Sequence, residues 1–77
     1  MHEAIAQVLR WFAYSHLPAD LREVSKPFAD LAEHLAGTLE GPELTVALRK
    51  LLEAKDAAVR AAVAMDDTAH DRIAVYD

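Results

Sequence analysis

The sequence of 77 residues has no cysteine, two glycines, three prolines and few aromatic residues (6%). Without cysteine, no disulfide can stabilise so small a domain, and no cluster of side chains offers the four ligands of a structural zinc site. The apolar residues, 53% of the chain, are mostly Ala, Leu and Val. This composition predicts an all-α fold and argues against an all-β or disordered chain. Helix packing, helped by self-association, is then the main source of stability.

Long apolar runs and positive charge are scarce as well. No uncharged apolar run approaches the ~20 residues of a membrane span, and residues 1–6 lack the basic start of a signal peptide. We therefore expect a soluble, intracellular protein that does not contact a membrane. Eight basic residues against 13 acidic ones give a net charge of −5, which disfavours binding to duplex nucleic acid. A small anionic ligand stays compatible with this net charge, because two or three hydrogen-bond donors close together are enough to bind it.

Hydrophobic periodicity predicts three helices, over residues 3–14, 19–36 and 42–64, in one domain that spans residues 1–77. The expected arrangement is a short N-terminal helix followed by an antiparallel helical hairpin. Pro18 ends the first helix, Gly37 is a C-cap for the second, and Pro42 begins the third. Residues 65–77 either add a further helical turn or form a frayed end.

Two apolar patterns carry the packing predictions. The second helix has a seam at a spacing of three and four residues, made of Leu21, Val24, Phe28, Leu31 and Leu35. Pro27 is expected to kink or divide this helix, with Ser25 able to cap a restart. The third helix carries a second apolar stripe besides its main one, at Val46, Leu52, Val59 and Val63. This second stripe is either an oligomer interface, which we favour in so small a domain, or a set of scattered surface residues.

Catalytic and metal-binding patterns are absent from the sequence. It contains no Gly-rich phosphate loop, no Ser-His-Asp set and no carboxylate pair with a cavity, so we predict a protein that is not an enzyme and uses no cofactor. Asp66 and His70 could share one helix face, but two weak ligands in a terminal tail favour solvated side chains over a metal site.

Residues 10–16 hold the densest candidate chemistry, with three of the five aromatic residues of the chain. Trp11 and Tyr14 either form a platform on which nucleobases stack or fasten the short helix to the hairpin. Three residues of the next helix, Arg22, Ser25 and Lys26, either meet phosphates or form a solvated charged face.

A wider pattern spans residues 10–64. It consists of Phe12, Tyr14, His16 and Pro18, then Leu31, Ala32 and Leu35, then Pro42, Glu43, Ala47, Leu48, Leu51, Glu53, Ala54 and Ala57. In order and spacing it resembles the small phage family of anti-CBASS cyclic-oligonucleotide sponges, which is related to the hairpin domain of anti-Thoeris sponges. Residues 25–28 and 49–57 are similar to actinobacteriophage members of that family.

The resemblance implies a homo-oligomer, typically a hexamer, in the host cytoplasm. It implies that cyclic dinucleotides, and in some members cyclic trinucleotides, are bound between protomers and are sequestered without cleavage, so that the CBASS effector stays inactive. It assigns base stacking to Tyr14 and phosphate contact to Lys26, with Arg22 as the substitute. The complete candidate set for ligand binding is Tyr14, His16, Lys26, Arg22, Trp11, Ser25 and Arg10. The family's Asn near the end of the last helix is replaced by Val59 or Arg60.

A second hypothesis is a helical protein-interaction or structural module that binds no ligand. In this case Val46, Leu52 and Val59 would contact a protein partner, and Tyr14 and Lys26 would be dispensable. The two hypotheses differ in whether a cyclic oligonucleotide binds at all.

Overall fold

A computed structural model describes residues 3–67 of the chain, with side chains described up to residue 65. It contains three helices, α1 (Glu3–Arg10), α2 (Ala19–Thr38) and α3 (Pro42–Asp67). No strand occurs within the described range, so the predicted all-α class is confirmed there. The expected metal-free tail, including Asp66 and His70, lies outside the side chains that are described.

The first helix is shorter than predicted, because it ends at Arg10 and not at Tyr14. The amides of Trp11, Phe12 and Ala13 each donate to the carbonyl three residues earlier, with N···O distances of 3.0, 3.0 and 3.2 Å. Such bonds tighten the backbone and end the α-helix. The tightened turn directs Phe12 into the core, where it is almost fully buried.

The second helix passes through Pro27 as one helix, so the chain is not divided at this residue, and the expected kink stays a prediction. Proline removes the hydrogen bond to the carbonyl of Glu23, and both residues are exposed, so water can reach that carbonyl. The helix also continues through Gly37 to Thr38, whose Oγ1 donates to the carbonyl of His34 at 2.8 Å. The chain turns instead at Gly41, whose φ of +99° is costly for other residues.

The buried face of α2 is not the predicted seam of large apolar residues. Its buried members are Ser25, Ala29 and Ala32, which lie about 90° around the helix from the centre of that seam. Leu31, a seam residue, is 45% exposed. Small side chains allow the neighbouring helices to approach α2 closely, and this approach leaves part of the seam uncovered.

The third helix buries Leu44 and Leu48, which begin its main apolar stripe, and the next stripe residue, Leu51, packs partly buried against the core. The helix extends three residues beyond the predicted end at residue 64. The predicted second stripe is not one face, because Leu52 packs against the core while Val46 lies about 120° away around the helix and is exposed. Among residues 3–67, no helix is long and apolar enough to cross a lipid bilayer.

The three helices share one apolar cluster, to which each contributes. Its buried members are Ile5, Val8, Phe12, Ala29, Ala32, Leu44 and Leu48. The largest contact is between α2 and α3, and α1 contacts both of them. Consequently α1 and the segment after it, residues 11–18, are positioned against α2 on one side and α3 on the other.

One polar side chain interrupts this core. Ser25 is 1% exposed, and its Oγ has no hydrogen-bond partner among the described residues. It therefore caps no restarted helix, contrary to the prediction.

Replacing Ser25 by alanine is expected to raise the free energy of unfolding by about 1 kcal/mol, because a buried hydroxyl without a partner costs about 1–3 kcal/mol. Urea denaturation followed by circular dichroism measures the change. The matched control is Ser15→Ala, since Ser15 is exposed and its replacement should leave stability nearly unchanged. A loss of stability in the Ser25 variant would contradict the unpartnered hydroxyl.

Candidate functional site

The structure divides the candidate residues between two surface recesses. The first, called the Trp11 recess here, lies between α3 and the end of α1, and it is lined by Arg10, Trp11, Ala13, His16, Leu17, Lys55, Asp56, Val59 and Arg60. The second, called the Tyr14 recess, lies between α2 and the same segment, and it is lined by Leu9, Phe12, Ala13, Tyr14, Ser15, Ala29 and Glu33. Ala13 lines both recesses and lies between them.

Besides the bonds of its first three amides, segment 11–18 is held in place by three further local hydrogen bonds. The Leu17 amide donates to the Tyr14 carbonyl at 3.0 Å, and the Arg22 amide donates to the Pro18 carbonyl at 2.9 Å as α2 begins. The Arg22 guanidinium also donates through Nη1 to the Leu17 carbonyl at 2.7 Å. Arg22 thus stabilises the segment that carries Trp11 and Tyr14, and its predicted phosphate contact remains untested.

The Trp11 recess combines an exposed aromatic ring with concentrated positive charge. Trp11 is 69% exposed, which is unusual for the largest apolar side chain in a protein. Arg10, Lys55 and Arg60 supply three permanent positive charges. Asp56 is the one carboxylate among the described lining residues, in a chain whose net charge is −5. This recess is therefore a local positive region on an acidic protein.

Lys55 and Asp56 form an ion pair inside this recess, with Lys55 Nζ 2.8 Å from Asp56 Oδ1. The Lys55 side chain is largely covered, and it lines the recess together with Asp56. Neither Arg10 nor Arg60 forms a salt bridge with another residue of the described range. Two guanidinium groups are thus available to an anion, and guanidinium groups match phosphate geometry.

The Tyr14 recess has the opposite electrostatic character. Tyr14 is half-buried against the core, and Glu33 is the charged residue among the described lining residues. Lys26 Nζ lies 2.7 Å from Asp30 Oδ2. This hydrogen bond, together with the charge of Asp30 and smaller effects of Tyr14 and Glu33, raises the pKa of Lys26.

The surroundings of Lys26 bear directly on its predicted phosphate contact. Its charge is shared with Asp30, and Glu33 is near enough to act on it electrostatically. A phosphate at this place would face two carboxylates, whereas the Trp11 recess offers two guanidinium groups beside the Lys55–Asp56 ion pair. The charge distribution therefore favours the Trp11 recess for an anion, and the pairing of Tyr14 with Lys26 stays a prediction.

The structure changes the set of candidate ligand-binding residues in two ways. Ser25 is withdrawn from the candidate ligand-binding set, because its hydroxyl is enclosed by the core and does not reach a surface. Arg10, Trp11 and His16 are joined by Lys55, a residue that sequence reasoning did not propose for binding. One sequence signal could have found it, since Lys55 falls on the main apolar stripe of α3, where the structure places it partly buried.

The lining of the Trp11 recess combines groups that can bind a flat ring and an anion. The Trp11 recess offers an indole face, two guanidinium groups and the exposed imidazole of His16, which together can contact a flat ring and a phosphate. Within the described residues, no group of three or more His, Asp or Glu is placed to hold a metal ion.

Comparison with known proteins returns no relative. No family model matches the chain, and neither does any curated protein or solved structure. Proposals about function therefore depend on the geometry of the recesses and on the sequence resemblance.

Proposed function

We propose that this protein binds and sequesters cyclic oligonucleotide second messengers without cleaving them, and so blocks activation of CBASS effectors. The observation that carries the proposal is the Trp11 recess, in which an exposed indole shares the lining with two guanidinium groups and the Lys55–Asp56 ion pair on an acidic chain. Cyclic dinucleotides are the first ligands to test, and cyclic trinucleotides the second.

The ligand's chemistry matches this recess. A cyclic dinucleotide carries two fixed negative charges and two flat bases. Stacking of one base on an aromatic side chain contributes about 1–3 kcal/mol, and Trp11 presents its ring to solvent. Arg10 and Arg60 are placed beside it, where each can donate charge-assisted hydrogen bonds to a phosphate.

Sequestration requires affinity and abundance, and it needs no general base. The ligand should therefore be recovered unchanged after release. This distinguishes the proposed protein from a phosphodiesterase, which would return linear products.

We further propose that the chain forms an antiparallel helical hairpin that assembles as a homo-oligomer, and a hexamer is the expected assembly. Exposed apolar side chains support self-association, namely Leu31, Val46, Val63 and Met65. The Trp11 recess is open to solvent, so a neighbouring copy over it would exclude water. Exclusion of water strengthens the contacts between guanidinium groups and phosphate.

The experiment that tests the proposal is a fluorescence titration. Trp11 is the single tryptophan of the chain, so its emission reports on this recess alone. Cyclic dinucleotides and trinucleotides are expected to quench that emission saturably, and chromatography of the released ligand should recover it intact. Linear nucleotides of the same base composition serve as the control for unspecific anion binding.

Two results would contradict the proposal. If no cyclic oligonucleotide changes the emission of Trp11 or the melting temperature, the chain is not a sponge, and the interaction module becomes the better hypothesis. Recovery of linear products would instead indicate an enzyme. A ligand at 100 times its dissociation constant adds about 2.7 kcal/mol of stability, so binding at any site would be detected as a rise in melting temperature.

A further inference from the structure

We infer that the two recesses form one divided site, in which the ligand crosses Ala13, with its phosphate in the Trp11 recess and a base with two adjacent N–H donors at Glu33. Guanine is such a base. This inference rests on the proposed function and names its preferred ligand, a guanine-containing cyclic dinucleotide.

Ala13 is the residue that the two recesses share. It is exposed, follows the last residue of α1 by three positions, and lines both recesses. Its methyl group is the smallest side chain that a residue other than glycine can place between them. A ligand that extends beyond one recess therefore meets a low barrier there.

The two recesses differ in the sign of the charged side chains that line them. The Trp11 recess is lined by Arg10, Arg60 and the Lys55–Asp56 ion pair, whereas the Tyr14 recess is lined by Glu33 and by apolar residues that include Leu9 and Phe12. A simple anion fits only the first. A nucleotide has both parts, because its phosphate is anionic while its base is flat, apolar on its faces and polar along its edge.

Guanine and adenine differ in the hydrogen-bonding groups that they would present to Glu33. Guanine presents N1–H and the N2 amino group side by side, and a carboxylate can accept from both. Adenine presents its N6 amino group beside the N1 lone pair, which a carboxylate repels. Tyr14 and Ser15 line the same recess, and a hydroxyl group can donate or accept. Glu33 is therefore the residue that separates the two purines.

The experiment compares cyclic dinucleotides with two guanines and with two adenines, measured by calorimetry on the intact chain. The wild-type protein should bind the guanine ligand about tenfold more tightly, since hydrogen bonds to a charged group have this effect or a larger one. Glu33→Gln should reduce this ratio to near one. The control is Glu23→Gln, which removes the same charge from an exposed position of α2 outside both recesses.

A second variant tests the path across Ala13. Ala13→Leu enlarges the barrier between the recesses at an exposed position, and it should weaken binding of both ligands by about tenfold or more while the melting temperature without ligand stays unchanged. If the wild-type chain binds both ligands equally and Glu33→Gln changes nothing, the divided site is wrong while the proposed function stands. If neither ligand binds, the proposed function fails first.

Discussion

Replacing Leu48 by alanine is expected to lower the free energy of unfolding by about 2–5 kcal/mol, the range for a large aliphatic side chain removed from a core. Leu48 has 0% exposure and is the largest fully buried side chain of the described chain. The total free energy of unfolding of a domain of this size is about 4–12 kcal/mol, at roughly 0.05–0.15 kcal/mol per residue. The variant should therefore lose a large part of its stability, which chemical denaturation will measure.

The matched control is Leu31→Ala, which removes the same atoms from an exposed position of α2. We expect a cost below about 1 kcal/mol at low protein concentration. A cost that grows with protein concentration would show that a second copy covers Leu31. If both substitutions cost the same at every concentration, the assignment of the buried faces is wrong. Leu48→Met, a volume-conserving change expected to cost less than about 1.5 kcal/mol, keeps the comparison measurable if the alanine variant does not fold.

Replacing Arg60 by glutamate is expected to weaken cyclic dinucleotide binding by about 100-fold. Removing a charge-assisted hydrogen bond costs about 1.5–3 kcal/mol, and the new carboxylate adds repulsion to the phosphate. The control is Arg49→Glu, an exposed position of α3 outside the Trp11 recess with the same change in net charge. Equal weakening by the two variants would attribute binding to overall charge and would contradict the site.

A readout that needs no ligand separates local charge from loss of fold. Iodide and caesium both quench exposed tryptophan, and their relative efficiency reports the sign of the nearby potential. Each quenching constant is divided by that of a free tryptophan analogue, because iodide is intrinsically the stronger quencher. In the wild-type chain this relative constant should be larger for iodide than for caesium, despite the net charge of −5. Arg60→Glu should shift the balance toward caesium and Arg49→Glu should preserve it.

Helix positions followed from local rules that act within a few residues. Pro18 and Pro42 mark the starts of α2 and α3 within one residue, because proline restricts its own backbone and that of the preceding residue. The early end of α1 was not predictable in this way. It depends on the burial of Phe12 against other helices, which becomes favourable only after those helices pack.

The faces of the helices were harder to predict than their bounds. Periodicity gives most weight to large apolar residues, whereas α2 packs through Ser25, Ala29 and Ala32. Small residues give a weak hydrophobic signal, and their contribution is the close approach that they allow between helices. The candidate site was incomplete for a similar reason, since Lys55 and Arg60 follow Trp11 by more than 40 residues and resemble a solvated charged face. Only the contact between α1 and α3 brings them together.

The brevity of α1 has a consequence for the apparent affinity of any ligand. A helix of eight residues is too short to persist in water by itself, so α1 depends on the docking of Ile5 and Val8 onto the other two helices. Both recesses take one wall from the segment that α1 anchors. The measured dissociation constant is then the intrinsic one divided by the fraction of chains in which this segment is docked. Residues far from either recess can thus tune binding by changing that fraction.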